Sequence, residues 1–480
     1  MTTSLSTSYS NIVDGRARRS ETTSPVFNPA TGTVFTRVPV ATAQDLDDAV
    51  ETATTAYTKW SRTPLAERQA AVAAIGDLLE EHAAEFMALL TQEQGKPAAM
   101  AEWEVFGSIA WFREIATQSL PEEILEDSPE RKVITRHTPL GVVGAVVPWN
   151  FPILLTVWKI APALVAGNTM IVKPSPFTPL CDMKLVEMAQ QVLPPGVLSI
   201  LNGDDDLGKL VTSHPDIAKI AFTGNTETGK HVMASAARSL KRVTLELGGN
   251  DPAIVLPDVD PEKVAPLVFW AAFQNNAQFC NSAKRIYIHD AVYDRVRDAL
   301  VDYARTVVVG DGADDATQLG PIQNKPQFDK VREYFEDCTA NGYTFALGGE
   351  IDDSQSGWFV PVTIVDDPPE DSRLMVEEPF GPILPLARWH DEADVIARAN
   401  NTPFGLGATV WGADLEVAER IGRAIDAGTV WLNEVHQYSP HQVFGGHKQS
   451  GVGAENGLTG LAEYTNHQTV CLNRTPGEVA

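Results

Sequence analysis

Cys280 stands in the segment Asn275-Asn276-Ala277-Gln278-Phe279-Cys280-Asn281-Ser282-Ala283-Lys284-Arg285, just after an apolar helical run. A deprotonated thiol is a nucleophile, and the small and amide residues around it suggest a loop whose backbone can approach a ligand. A lone cysteine beside aromatics is more often inert core, and Cys280 alone does not decide between the two. Glu246 closes the apolar run Val243-Thr244-Leu245-Glu246 and is followed by Leu247-Gly248-Gly249. Burial there would raise its carboxyl towards the range of a useful base, although a salt-bridged strand end fits as well. Asn150, in Pro148-Trp149-Asn150-Phe151-Pro152, could offer a side-chain N–H to a developing oxyanion. Asparagine before a turn is also ordinary loop chemistry. Phe222-Thr223-Gly224-Asn225-Thr226-Glu227-Thr228-Gly229 joins a strand to a helix, a place where backbone N–H groups favour phosphate. It lacks GxGxxG spacing, and the nearest approximation, Gly451 to Gly457, follows no predicted strand.

These residues need a scaffold, and the hydrophobic pattern supplies one. Short apolar runs at 142–147, 169–172, 197–201 and 217–222 alternate with helical stretches at 160–166, 180–192, 206–213 and 227–240. Such alternation predicts βαβ units and a parallel sheet covered on both faces, with ligands at the carboxyl ends of the strands. Further strands are expected at 253–256, 285–288, 407–411 and 428–432. Thr42-Ala43-Gln44-Asp45 has capping-box spacing, so a helix should run from there towards Trp60. A second helical stretch extends from Leu65 to about Gln94, ending at Gly95 and Pro97. The expected organisation is a disordered tail over 1–20, a first α/β unit of nucleotide-binding type over 21–116 and 137–247, and a second α/β unit over 248–445. An oligomerisation arm from 117–136 and 460–480 completes it, its extended strand Arg131 to Thr135 inviting a partner.

With 480 residues, 44% apolar and 21% charged, the chain can bury a large core. A formal charge of -26 repels nucleic acid and anionic membranes, so neither is expected as a partner. Four separated cysteines without CxxC spacing fit a reducing cytoplasm, and nothing reads as a signal peptide or membrane span. His436, His441, His447 and His467 lack partners at metal-site spacing, so no metal is expected.

Taken in order, these segments resemble the aldehyde dehydrogenase superfamily, in its hydrolytic, NAD(P)-dependent branch. The resemblance runs from about Phe27 to Val470. It rests on Leu245-Glu246-Leu247-Gly248-Gly249, on a Gln-x-Cys segment whose cysteine lies 34 residues after the glutamate, on Glu378-Pro379-Phe380-Gly381-Pro382, and on Phe444-Gly445-Gly446-His447-Lys448-Gln449-Ser450-Gly451. The fold implied is α/β: a Rossmann-type cofactor domain, an α/β catalytic domain and a small β oligomerisation arm. The activity implied is oxidation of an aldehyde to the acid, by a homodimer or homotetramer using NAD or NADP. Cys280 would attack the aldehyde, Asn150 and the Cys280 N–H would hold the oxyanion, and Glu246 would activate the hydrolytic water. Lys159 and Glu455 would carry the proton away. Glu378 and Phe380 would hold the nicotinamide riboside, Lys173 the adenosine ribose, and Thr223 and Asn225 would lie near the nicotinamide and pyrophosphate. Val147, Pro148, Trp149, Ser175, Pro176, Phe222, Gly224, Leu247 and Gly248 complete the implied cofactor set.

Three positions depart from the family pattern. Asn225 replaces a common serine, Ala277 a common glycine, and Pro176 the glutamate that many NAD-specific relatives place on the adenosine ribose. Phe151, Leu155, Trp158, Phe279, Asn281, Tyr438 and Phe444 fall where relatives line the aldehyde tunnel. Mostly apolar and without arginine, they point to medium-chain aliphatic or aromatic aldehydes. A cofactor-independent thiol hydrolase and a catalytically silent homologue are the competing classes. CoA-acylating relatives typically lack the glutamate present here as Glu246.

Overall fold

The computed structural model describes residues 8–475 and Gly477. Arg242–Glu246, Lys219–Thr223, Val142–Val146, Thr169–Lys173 and Leu198–Ile200 lie side by side in that order, all parallel. Both faces are covered, which is why the strands read as nearly unbroken apolar runs: Val143 and Ala145 enter one core cluster, Val142 and Val146 another. The first of these strands in the chain, Val142–Val146, lies in the middle. The next two extend the sheet to one side and the last two to the other. The crevice between Val142–Val146 and Lys219–Thr223 is therefore a topological switch point, where doubly wound folds bind their ligands. Helices Pro152–Ala166, Leu180–Ala189, Asp205–Ser213 and Thr226–Ala237 make the crossovers.

A second sheet runs Thr344–Leu347, Thr363–Asp366, Ile383–Trp389, Ala283–His289, Asp251–Val255, Gly407–Trp411 and Thr429–Leu432, with only its first pair antiparallel. After it the chain returns to the first sheet, where Gly451–Val452 pairs antiparallel with Arg242–Glu246. Thr465–Asn473, Arg131–Pro139 and Glu123–Asp127 form a separate antiparallel arm.

The capping box forms as read. Thr42 Oγ1 accepts from the Asp45 N–H at 3.1 Å, Asp45 Oδ2 accepts from the Thr42 N–H at 2.8 Å, and the helix runs Ala43–Trp60. Several expectations need correction. Within the supposed tail 1–20, Asn11–Val13 and Arg16–Arg18 form a hairpin on the edge of the first sheet, turned by Asp14 and Gly15 at φ 53° and 71°. Ile12 and Val13 are buried there, so apolar burial fixes what its polar neighbours disguised. Residues 1–7 lie outside the described residues. The stretch from Leu65 to Gln94 is two helices, Leu65–Glu81 and Ala83–Gln94, broken at His82. Helix Ala98–Ile115 was not anticipated. The strand Arg131–Pro139 is not an unpaired edge: it is central in the arm, and its partners on both sides come from its own chain. The arm takes up the C-terminal segment only from Thr465, because helix Gly457–Ala462 packs on helix Pro152–Ala166.

Candidate active site

Cys280 is half-buried at the end of a strained loop. Asn275, Asn276 and Ala277 all take left-handed backbone, at φ 53°, 56° and 59°. Two are asparagines, which adopt that region most readily after glycine, and Ala277 has no such ease. The loop is held by Gln278. Its Nε2 donates to the Asn275 and Pro321 carbonyls at 3.0 and 3.3 Å, and its Oε1 accepts from the Gln323 N–H at 2.8 Å. That accounts physically for a glutamine two residues before the cysteine. Behind the loop, Lys284 Nζ donates to the Phe279 and Cys280 carbonyls at 3.0 and 2.5 Å and pairs with Glu378 Oε1 at 3.2 Å. Burial pushes the Cys280 thiol up to about 12, against the opposing pull of Lys284.

One cavity brings together Cys280, Glu246, Thr223, Glu455 and an aromatic wall. Of the expected substrate residues, Phe151, Leu155, Trp158, Phe279, Asn281, Tyr438 and Phe444 all line it. Tyr438 packs edge-on against Phe444 and Trp158, and the latter stacks on Trp111. Leu154, Leu247 and Trp103 line it as well. Leu154 lies before Ile160, where the sequence pattern placed the start of its helix, so its position facing the cavity was not legible; Trp103 lies on the unanticipated helix.

Glu246 ends its strand at the wall of this cavity, fully enclosed, and neither of its carboxyl oxygens has a partner among the described residues. Burial holds its carboxyl well above the usual carboxylate range, and Glu455 adds to the shift while Lys159 opposes it. Lys159 Nζ donates to Glu455 Oε1 at 2.5 Å and to Thr223 Oγ1 at 2.7 Å. Thr223 and Glu246 are register partners on adjacent parallel strands, which places all four groups on one face of the sheet. Asn150 does not line the cavity. Its Nδ2 donates to the Gln278 carbonyl at 3.1 Å, two residues before the thiol in the cysteine loop.

At the mouth of the switch-point crevice, Trp149 meets Phe380 edge-on at 5.4 Å, and Glu378 Oε1 accepts from the Gly249 N–H at 3.2 Å. A Cβ on Gly248 would displace the Glu378 carboxylate from this contact. Asn225 caps helix Thr226–Ala237 by accepting from the Thr228 N–H at 2.8 Å, which leaves that helix N-terminus facing the crevice. Lys173 and Ser175 are buried at the neighbouring strand end, with Pro176 half-buried beside them. Val147 and Phe222 turn into the core clusters. Leu247 joins the second of these clusters and lines the cavity, and Pro148 is half-buried beside Trp149.

Residues 16–470 match the model of the aldehyde dehydrogenase family. The chain belongs to the aldehyde dehydrogenase family. It is similar to an aldehyde dehydrogenase of Fusarium sp, LUC3, at 39% identity covering 97% of this chain and 99% of that protein. It is also similar to phenylacetaldehyde dehydrogenase of Pseudomonas fluorescens, at 38% identity covering 95% and 93%. Its structure matches that of an aldehyde dehydrogenase from Bacillus cereus solved with NAD+, with a TM-score of 0.94, 34% identity and 97% and 96% coverage. This aldehyde dehydrogenase therefore oxidises aldehydes to carboxylic acids with NAD or NADP. Among its described residues no helix is long and apolar enough to cross a membrane.

Proposed function

We propose that this aldehyde dehydrogenase oxidises apolar aldehydes, aryl or medium-chain, through a covalent thioester on Cys280 that Glu246 hydrolyses. The observation that carries the reading is one aromatic cavity lined by both a thiol and a buried carboxyl that is unpaired among the described residues. The Cys280 sulfur adds to the aldehyde carbon as its thiol proton passes to Glu246 in the same cavity. The Cys280 N–H and the second hydrogen of the Asn150 amide, the first being spent on Gln278, stabilise the oxyanion. The nicotinamide cofactor, when bound, supplies the hydride acceptor that leaves a thioester on Cys280. Glu246, relieved of that first proton, then takes one from water as the new C–O bond forms and returns it to the sulfur as the C–S bond breaks, giving acid and thiol. The proton given up by the thiol passes on to Glu455, which lines the same cavity and is paired with Lys159.

The crevice residues fit such a cofactor. Lys173 and Ser175 would hold the adenosine ribose, Thr223 and Asn225 the pyrophosphate end, and Glu378 and Phe380 the nicotinamide riboside. With Pro176 in place of an acidic residue, both NAD and NADP are accepted.

The cavity wall carries no arginine that could clamp a carboxylate or phosphate, and a similar protein is named for phenylacetaldehyde. The arm makes the protein a homodimer or a dimer of dimers. Its four cysteines are all unpaired, in keeping with the cytoplasm. The test is a panel of phenylacetaldehyde, benzaldehyde, octanal, a semialdehyde and a phosphorylated aldehyde with each cofactor, in wild type and Cys280→Ala. The first three should turn over best, and the variant should bind cofactor but not turn over. Steady turnover by Cys280→Ala would sink the mechanism, and preference for the charged aldehydes would sink the substrate class.

A further inference from the structure

Directly behind Asn150 lies an ion pair that the chemistry above does not use. Lys96 and Glu104 contact each other with both side chains fully enclosed. Burying two charges costs several kcal/mol per ion, so such a pair persists where its remaining hydrogen bonds are satisfied. Here they are, and each leads to the active site. Glu104 Oε1 accepts from the Ile153 and Leu154 N–H groups at 3.0 and 3.2 Å, donors otherwise orphaned in the first turn of helix Pro152–Ala166. That helix carries Leu155, Trp158 and Lys159. Lys96 Nζ donates to the Asn150 carbonyl at 2.9 Å and sits 4.0 Å from the centre of the Phe151 ring. The same carbonyl accepts from Asn275 Nδ2 at 3.1 Å, and that Nδ2 also contacts the Gln278 carbonyl at 3.2 Å. Asn150 is thus fastened at its backbone by Lys96 and Asn275 and at its amide by Gln278. Lys96 is itself fixed by the turn before it: Gly95 takes φ 91°, and a Cβ there would strike Pro29 and Pro321.

We propose that the Lys96–Glu104 pair is a positioning device that holds the Asn150 amide and the Cys280 loop in one register, so that both oxyanion donors point at the same atom. The proposal rests on Asn150 being such a donor. Both side chains are fully enclosed and spend their polar atoms on each other and on the backbone of Asn150, Ile153 and Leu154, so they act through that turn and touch no substrate. The pair gives a fixed, dry anchor where a surface hydrogen bond would leave the strand-to-helix turn free to shift. Misplacement of a reacting group by about 1 Å can cost roughly a hundred-fold in rate.

A double-mutant cycle on the pre-steady-state burst of reduced cofactor, with phenylacetaldehyde and NAD, tests this. Asn150→Ala should slow the burst roughly a hundred-fold, as loss of an oxyanion donor does. Lys96→Met should slow it roughly ten-fold by partial misplacement, with KM for aldehyde and cofactor within about two-fold of wild type. The two together should be no slower than Asn150→Ala alone, because the lysine acts only through that amide. If Lys96→Met does not fold, Lys96→Met/Glu104→Gln takes its place in the cycle; it removes both charges and keeps an acceptor for Ile153 and Leu154. Additive losses would overturn the proposal while leaving Asn150 its role. A wild-type burst in Asn150→Ala would overturn both.

Discussion

At the scale of the residue, the cofactor choice turns on Lys173 and Pro176. Lys173 is only 4% exposed, and burial pulls its ammonium down to about 8, with Asp205 and then Asp204 pulling the other way. A group lowered in this way is charged below that value and loses its charge as pH rises through it. The charge that can meet a 2′-phosphate is therefore present at pH 7 and largely gone by pH 9. We expect the ratio of kcat/KM for NADP over NAD to fall between those two pH values. Pro176→Glu should lower the same ratio at pH 7 by roughly ten-fold, since a carboxylate repels the phosphate by about 1–2 kcal/mol at partial exposure. A wild type that ignores NADP, or a ratio unmoved by the variant, would show that position 176 does not set the preference. Lys173 and Pro176 were legible in the sequence because they sit in one motif. Asp204 and Asp205 were not, since they reach Lys173 only through the crossover that puts the start of helix Asp205–Ser213 beside its strand end.

At the scale of the element, the cysteine loop stores strain at Ala277, whose φ of 59° costs a residue with a Cβ about 1–2 kcal/mol. Ala277→Gly should recover part of this, a gain of up to about 1 kcal/mol after the extra chain entropy of glycine, read as a higher Tm. A lower Tm would mean that the alanine methyl, which is buried, packs well enough to outweigh the strain. The parallel strands of the first sheet were legible to within two residues because burial on both faces leaves runs of Val, Ile and Ala that little else explains. Helix Pro152–Ala166 was expected only from Ile160, and Thr344–Leu347, Thr363–Asp366 and Ile383–Trp389 in the second sheet were not expected. Helix Ala98–Ile115 escaped for the opposite reason. Glu104 and Ser108 are buried on it while Trp103 and Phe106 are exposed, so its polarity does not follow its periodicity. Trp103 and the Lys96–Glu104 pair were missed with it. The N-terminal hairpin was hidden by its Ser- and Thr-rich surroundings, though Asp14-Gly15 is a turn signal.

At the scale of the whole molecule, the arm leaves apolar side chains uncovered. Ile124 and Leu125 are 57% and 56% exposed, and Val470 and Leu472 also face outward. Its free edges are Glu123–Asp127 and Thr465–Asn473, which offer both pairing and packing to a second copy. Light scattering should give a dimer or tetramer, and Ile124→Asp with Leu125→Asp should shift it to a smaller species; a monomeric wild type would refute the assembly. The two-domain plan was legible because it follows from strand patterning. Which faces of the arm meet another copy was not, because pairing within one chain and between chains leaves the same alternation in sequence. The account as a whole stands on Cys280 as the acyl carrier and Glu246 as the base that frees it. Its most direct test is Glu246→Gln mixed with NAD and phenylacetaldehyde, followed by stopped-flow and intact mass. The amide cannot take a proton from water, so the account predicts a rapid burst of NADH, slow turnover afterwards, and a phenylacetyl adduct accumulating on Cys280. Steady-state turnover at the wild-type rate, with no adduct on the protein, would contradict it.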